Sequence, residues 1–426
     1  DAPPRRRSPA NGMNELPGVR AFLGFLILTA MVVVGVAWLP LDLTIDRLLY
    51  EDFFYYLQVA THISRGHGAT LDGVAPTNGF HPLWMLATTL AVQMGGREIA
   101  PHLMLSIAGL LHVCQAAMIF FLLRPLTSKS AAVLAAIFFA TNYRLLACNM
   151  SGLETPLQGV LVLSIFGLLG PWRPRPSWTT SMATGAVLGL SVLARFDLLL
   201  LAAAATVWLV LTPRDNEPVI RRLMFACAVG CVAVVVLVPW FVWSQAHSGS
   251  WLPNSKKALD LWLFDPPHLD RPLQDEADWL IQKTVSTSSR LADSANALGL
   301  WPLANHWRVR IGGPLVGSLA ILIGIWVVAH RRGPWGSWRL FLLGYSALHA
   351  AYYTLFARPD VRYLIPVILA IVLLSAQALD YLVRVRGVSR PRRVVMGCAI
   401  SLFFANSWLS GVDAWHKKQG AATTHA

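Results

Sequence analysis

Charge is scarce in this chain. Only 13% of its 426 residues are Asp, Glu, Lys or Arg, against about 25% in an ordinary soluble domain. With 55% hydrophobic residues beside it, that shortage excludes a soluble globular fold and points to a polytopic membrane protein. Cysteine is scarce too. Cys114, Cys148, Cys227, Cys231 and Cys398 lie in or at the ends of apolar runs and form no CxxC. Cys227 and Cys231 could share a helix face, but no His or acid joins them, so they read as small lipid-compatible residues rather than metal ligands. No HExxH, GxSxG or Walker motif occurs, so none of those chemistries is signalled. No internal repeat is visible, which leaves an inverted-repeat transporter without support.

What is present is a series of long apolar runs. About 20 residues cross a bilayer as a helix. The expected spans are 21–41, 99–123, 130–147, 155–170, 179–194, 197–212, 223–243, 313–330, 338–357, 363–382 and 394–410. The expected fold class is therefore all-α and polytopic, with about eleven transmembrane helices. The first run is too long for a signal peptide and lacks a cleavage site, so it stays as a signal-anchor helix. The run 81–96 is apolar as well, and the charge bias decides its place. With 81–96 lying in the interface, one side receives Arg5, Arg6, Arg7, Arg20, Arg124, Lys129, Arg173, Arg175, Arg214, Arg221, Arg222, Arg331, Arg332 and Arg339. The same side takes the run from Arg384 to Arg393. The short loops opposite hold only Arg144, Arg195, Arg358 and Arg362. By the positive-inside rule the N-terminus is cytoplasmic. The +13 net charge is thereby explained without nucleic acid.

This gives a five-part organisation: a disordered cytoplasmic leader (1–20), a transmembrane catalytic module (21–243) whose first outer loop is 42–98, a second outer loop (244–312) with surface helices, further transmembrane helices (313–410), and a short outer tail (411–426). Recognition of a large acceptor is expected to come from 42–98 and 244–312.

The outer loops collect the unusual residues: Glu51, Asp52, Asp72, His81, Glu154, Arg195, Asp197, Lys256, Lys257, Arg358, Asp360 and Arg362. Ionisable groups at span ends cost free energy unless paired or solvated, so each is a functional candidate. Asp72 and Asp360 read more simply as loop polarity. Phe53, Tyr56, Leu57, Ala60 and Ile63 make one apolar stripe at helical spacing, which predicts a helix over 52–64 in the outer interface, its aromatics at headgroup level. Glu51 and Asp52 then open that helix. Acids are favoured there by capping and the helix dipole alone. The dipole also keeps a carboxylate ionised and fit to act as a base. His62, His67 and His81 are irregularly spaced and make a poor metal triad.

The stretch "EDFFYYLQVATHISRGHGATLDGVAPTNGFHPLW" (51–84) resembles the first outer loop of the GT-C superfamily of polytopic glycosyltransferases. That superfamily includes protein O-mannosyltransferases, lipid A aminoarabinose transferases and arabinofuranosyltransferases. "SGLETPL", "LARFD", "GSWLPNSKK" and "RYLIP" resemble its later loop motifs, in the expected order. The resemblance covers residues 20–260 well and the rest loosely. It implies a GT-C-like fold with a cytoplasmic N-terminus and two interfacial helices in the first outer loop. It implies a donor sugar on a polyprenyl phosphate, and an acceptor hydroxyl deprotonated by a first-loop acid that displaces the lipid phosphate with inversion. The base maps onto Asp52 or Glu51. Glu51 stands where relatives carry Asp, which leaves the choice between the two open, with Asp52 slightly favoured. Lys256 and Arg362 match positions that stabilise the leaving phosphate, seconded by Lys257 and Arg195. Glu154 is placed to orient the acceptor or to pair with Arg195 or Arg362. Arg195 and Asp197 form an ion pair or touch ligand. Tyr55, Asn78, His81 and Asp197 are candidates for the sugar and acceptor pocket.

No cofactor is implied, and a divalent metal stays open. The partners implied are the lipid-linked donor, a glycan, lipid or protein acceptor, and membrane lipids. The expected location is the plasma or inner membrane, with the site facing outside or into the periplasm. Two rival readings are a lipid or sugar transporter or flippase, and an inactive scaffold of the same fold. A transporter places ionisable residues mid-span, whereas these sit at outer ends.

Overall fold

In the computed structural model, residues 16–170, 177–212, 218–251, 253, 333–356 and 362–384 are described. They form twelve α-helices: α1 (Leu16–Ala37), α2 (Leu41–Arg47), α3 (Glu51–Ser64), α4 (Pro82–Leu123), α5 (Lys129–Thr141), α6 (Tyr143–Asn149), α7 (Thr155–Leu168), α8 (Trp178–Ala194), α9 (Leu199–Leu211), α10 (Val219–Ser248), α11 (Gly333–Phe356) and α12 (Ile365–Arg384). Among the described residues there is no strand, only an isolated antiparallel bridge between Thr70 and Pro76. The expected spans 313–330 and 394–410 lie outside the described residues.

Two chain breaks bear on the expected spans. α4 is two helices merged across Gly96, whose φ of 68° and ψ of −176° suit glycine and are avoided by L side chains. The break falls between 81–96 and 99–123, which the charge bias had separated. The span expected over 130–147 is also broken. α5 and α6 meet at 59° around Asn142, whose side chain accepts from the Leu145 N–H at 3.1 Å and so starts α6 afresh. Among the described residues, three helices, α1, α4 and α10, are long and apolar enough to cross a membrane, or four if the bent α5–α6 pair is one span. α7, α8, α9 and α12 are apolar but shorter. The protein is membrane-integral. α1 begins at Leu16, ahead of the expected residue 21, with Pro17 in its first turn where a missing N–H costs nothing.

Packing follows membrane rules, in which small residues let backbones approach. A Cβ on Gly185 would meet the Val229 carbonyl oxygen at 2.5 Å, and one on Gly189 would meet Ala233 oxygen at 2.9 Å. This Gly-x-x-x-Gly face seats α8 on α10. The main core gathers Phe120, Phe139, Phe166, Trp338 and Tyr345 from α4, α5, α7 and α11. A second cluster packs Phe53, Tyr56 and Leu57 of α3 against Trp84, Met85 and Met104 of α4. The α3 stripe is buried against the protein, while Phe54 of α3 and Tyr50 just before it are exposed. The stripe is bounded by Ile63, which is half-buried.

Candidate active site

Glu51 and Asp52 occupy the first turn of α3, after the extended N-cap residue Tyr50. Successive residues on a helix point about 100° apart, so the two carboxylates cannot face the same neighbour. Glu51 is exposed and makes no ion pair or hydrogen bond among the described residues. Asp52 Oδ2 accepts from Arg362 Nη1 at 2.7 Å, with 60% of the Asp52 side chain and 17% of that of Arg362 exposed. Arg362 also donates through Nη2 to the Tyr363 hydroxyl at 2.8 Å. Its guanidinium lies 5.5 Å from the Tyr50 ring centre and 4.8 Å from that of Tyr363. Residues 310 positions apart are thus joined at the start of α3.

Beneath this pair is a buried one. The loop 150–154 is fully buried and tied down twice: the Tyr50 N–H donates to Ser151 oxygen at 3.2 Å, and Trp84 Nε1 donates to Gly152 oxygen at 2.8 Å. Gly152 has φ 80°, and a Cβ there would lie 2.7 Å from the Phe53 ring, so glycine is required on both counts. The loop delivers Glu154 to the N-terminus of α7. Glu154 Oε1 accepts from Arg195 Nη1 at 2.6 Å, both side chains being 5% exposed. Arg195 grips Asp197 with a two-pronged fork, Nε to Oδ1 at 3.1 Å and Nη2 to Oδ2 at 3.2 Å. The Tyr353 hydroxyl donates to the same Asp197 Oδ2 and accepts from Arg195 Nη2 at 3.4 Å. Arg195 also lies 4.8 Å from the Tyr363 ring centre, and that ring stacks on Tyr353 at 5.0 Å. Tyr363 therefore borders both arginines. His349 completes the wall, bonding Tyr363 oxygen through Nε2 at 2.9 Å.

His81 ends the first-loop motif as the N-cap of α4. Its backbone N–H donates to the Tyr56 hydroxyl at 3.0 Å, and that hydroxyl reaches Glu154 Oε2 at 3.5 Å. His81 Nε2 stands 3.6 Å from Glu154 Oε1. Burial pulls the His81 imidazole below its ordinary range, against the opposing pull of the Glu154 carboxylate. The ring is thus neutral at neutral pH, and the 3.6 Å contact is not an ion pair. Burial likewise pushes the Tyr56 hydroxyl well up, with Glu154 adding to it, so Tyr56 is a hydrogen-bond donor and not a base.

The other candidates fall outside this constellation. Asn78 is buried and donates from Nδ2 to Ser244 Oγ at 2.7 Å and Ser250 oxygen at 3.4 Å, tying the first loop to the end of α10. The Tyr55 hydroxyl is paired with Thr77 Oγ1 at 2.8 Å. Asp72 accepts from the Val74 and Ala75 N–H groups, both at 2.9 Å. These two donors lower its carboxyl, which is a turn lock rather than a site. His62 and His67 lie with ring centres 5.9 Å apart, away from His81, and no three metal-ligating side chains converge among the described residues. Lys256, Lys257, Arg358 and Asp360 lie outside the described residues. Sequence reasoning missed Tyr56 as a polar group, and it missed Tyr353, Tyr363 and His349. Tyr363 was in view beside Arg362 in "RYLIP". Tyr353 and His349 carried no motif, only their i, i+4 spacing with Tyr345 on α11.

Among the described residues, an all-helical membrane fold gathers carboxylates and guanidiniums around the starts of α3 and α7, and this fold is shared with solved membrane proteins. Residues 78–243 match the model of the dolichyl-phosphate-mannose-protein mannosyltransferase family, a stretch that holds "TNGFHPLW" from Asn78 on, "SGLETPL" and "LARFD". Among solved structures, the chain is similar to ArnT from Cupriavidus metallidurans bound to undecaprenyl phosphate (TM-score 0.58, 14% identity, covering 89% of this chain and 63% of that one). It is similar to the same protein in the apo state (TM-score 0.57, 14% identity, 88% and 62%). It is also similar to the oligosaccharyltransferase AglB from Archaeoglobus fulgidus in complex with an inhibitory peptide and a dolichol-phosphate (TM-score 0.56, 15% identity, 92% and 55%). The chain thus spans at most about three-fifths of the length of these proteins. No curated protein sequence matches it significantly.

Proposed function

We propose that the protein transfers a sugar from a polyprenyl-phosphate donor to an acceptor hydroxyl at the outer face of the membrane, with inversion at the anomeric carbon. The observation that supports this best is the Asp52–Arg362 pair. It sets an accessible carboxylate and an accessible guanidinium side by side, which are the two charges the reaction needs. Asp52 takes the hydroxyl proton as the acceptor oxygen bonds to the anomeric carbon. The bond from that carbon to the phosphate oxygen breaks, and the electron pair leaves with the lipid phosphate. Arg362 meets the negative charge that grows there, its planar fork suited to phosphate. Asp52 is preferred to Glu51 because it is the acid that faces Arg362. Lys256 and Lys257 are assigned by motif as further phosphate ligands. The N-terminus is cytoplasmic in this reading, and the membrane is the plasma or inner membrane.

Glu154, Arg195 and Asp197 serve as the wall behind the site. Their mutual pairing leaves Glu154 to orient the acceptor and Arg195 to hold Glu154 in place. His81 Nδ1 is buried and has no hydrogen-bond partner among the described residues, while the ring stays partly exposed and borders the sugar pocket in this reading.

The test is purified protein in lipid with a labelled lipid-linked sugar. Asp52→Asn lowers turnover by about 10²–10⁴-fold, the range for a lost general base, while Glu51→Gln retains most of it. Full transfer by Asp52→Asn at normal expression defeats the assignment.

A further inference from the structure

Beside Glu154, the start of α7 carries polar residues that the proposed chemistry does not use. At 3.6 residues per turn, Glu154, Gln158 and Thr155 fall side by side on one face. Gln158 and Thr155 are fully buried. Both polar atoms of the Gln158 amide and the Thr155 hydroxyl have no hydrogen-bond partner among the described residues. On the neighbouring side of the same turn, at Pro156 and Gly159, α4 packs Gln115, also fully buried. Its Nε2 donates to Pro156 oxygen at 3.0 Å, while its Oε1 has no partner. A Cβ on Gly159 would lie 2.2 Å from that Oε1, so the Gln115 amide is pressed against α7 where only glycine admits it. One turn along α4, His112 bonds Asn149 Nδ2 through Nδ1 at 2.8 Å, and Asn149 Oδ1 has no partner. Ser151 Oγ, in the loop that delivers Glu154, has none either. Six buried polar atoms therefore stand unpaired around one helix start, where a native fold leaves only a few per hundred residues. Glu154 adds a seventh need: Oε2 has only the long 3.5 Å bond from Tyr56.

Replacing such side chains with apolar ones of the same shape is close to neutral for stability, so stability alone does not explain polar residues here. A roomy polar cavity with several partners is where buried water resides, each molecule making about three hydrogen bonds. We propose that α7, with the facing residues of α4 and α6, lines a buried site for about two water molecules beneath Glu154, and that Gln158 acts through them as a positioning residue for the Glu154 carboxylate. The water site stands on the unpaired atoms alone; only the effect on turnover rests on the sugar-transfer reading. In that reading the waters fix the Glu154 Oε2 lone pairs, and thus the direction in which Glu154 presents itself to the acceptor.

The experiment has two arms. A cryo-electron map of the wild-type protein in a nanodisc, at a resolution that resolves water, shows density bridging Gln158 and Gln115; amides paired to each other with no density between them overturn the proposal. In the second arm, the infrared carboxylate stretch that vanishes in Glu154→Gln moves in Gln158→Leu, with the melting temperature unchanged or raised; an unmoved band overturns the positioning role. Turnover with a polyprenyl-phosphate-linked sugar falls about tenfold in Gln158→Leu, the rate equivalent of one lost hydrogen bond to a charged group. A wild-type protein with no transfer activity counts against the proposed function and leaves the map and the band as they are.

Discussion

The same two functional groups meet twice in this protein, carboxylate with guanidinium, and the two meetings differ in almost every physical respect. Asp52 and Arg362 meet in view of solvent, through a single 2.7 Å bond, with Asp52 60% exposed. Glu154, Arg195 and Asp197 meet in the dark, with every side chain at most 8% exposed, through one bond to Glu154 and a fork to Asp197, with Tyr353 closing the ring. An exposed pair is worth at most about 1 kcal/mol. It opens readily when a better partner arrives. A buried triad is a commitment, because removing one member strands the others without water. The comparison teaches where chemistry belongs. In the proposed reaction the weak pair exchanges its partners for an acceptor hydroxyl and a phosphate, and the strong triad holds the wall still meanwhile.

The sharpest way to break this division is to remove an arginine from each side. Arg195→Ala leaves Glu154 and Asp197 as uncompensated buried carboxylates. It costs about 3–5 kcal/mol of stability, seen as loss of monodisperse protein in detergent or a collapsed melting temperature. Gly152→Ala comes next. It forces φ 80° on a residue with a Cβ, worth about 1–2 kcal/mol, and drives that Cβ into Phe53 and Leu49. Melting temperature and turnover fall together, because the same loop carries Glu154. Arg362→Ala is the contrast. It costs less stability than Arg195→Ala, because the Asp52 left behind keeps its water, while the affinity for undecaprenyl phosphate, followed by titration, falls about tenfold, as for one charge-assisted contact. If Arg362→Ala unfolds the protein and Arg195→Ala does not, the two regions have been assigned the wrong way round.

Much of this was legible in the sequence, and what was not has a physical reason. Length and apolarity marked the helices. Charge bias separated 81–96 from 99–123, and the backbone turns at Gly96 between them. The motifs put Asp52, Glu154, Arg195, Asp197, His81 and Arg362 on one list, and all six meet at one end of the bundle. The sequence could not say who pairs with whom. Arg195 and Asp197 are two residues apart, and their fork depends on the extended backbone at Arg195, φ −158° and ψ 125°, which returns its side chain over Asp197. Asp52 and Arg362 are distant in sequence, so nothing local predicts their bond. Tyr56 looked like part of an apolar stripe because its ring is one, and its hydroxyl acquires a role only once His81 and Glu154 are beside it. Asn78 was read as a pocket residue, but a buried amide bonded to Ser244 looks the same in sequence as one that waits for a sugar.

The smallest expected effect tests the seam between the two regions, at His81. Its position before the apolar half-helix of α4 keeps it outside the membrane-spanning segments, and its ring keeps 26% of its surface exposed, which limits the shift that burial causes. The sign is fixed. An imidazole held below its ordinary pKa in the folded protein takes up a proton more readily when the chain unfolds. The unfolded state then binds more protons, so stability rises with pH across that window and is lost as pH falls through about 6.5. Melting temperature followed from pH 7.5 to 5.5, an interval of about one unit on either side of the imidazole's ordinary value, falls in the wild type and falls less in His81→Gln, which keeps a polar side chain beside Glu154 without a titrating proton. Equal slopes in the two proteins place His81 in water rather than at the seam, and Glu154 then borders solvent on that side as Asp52 does.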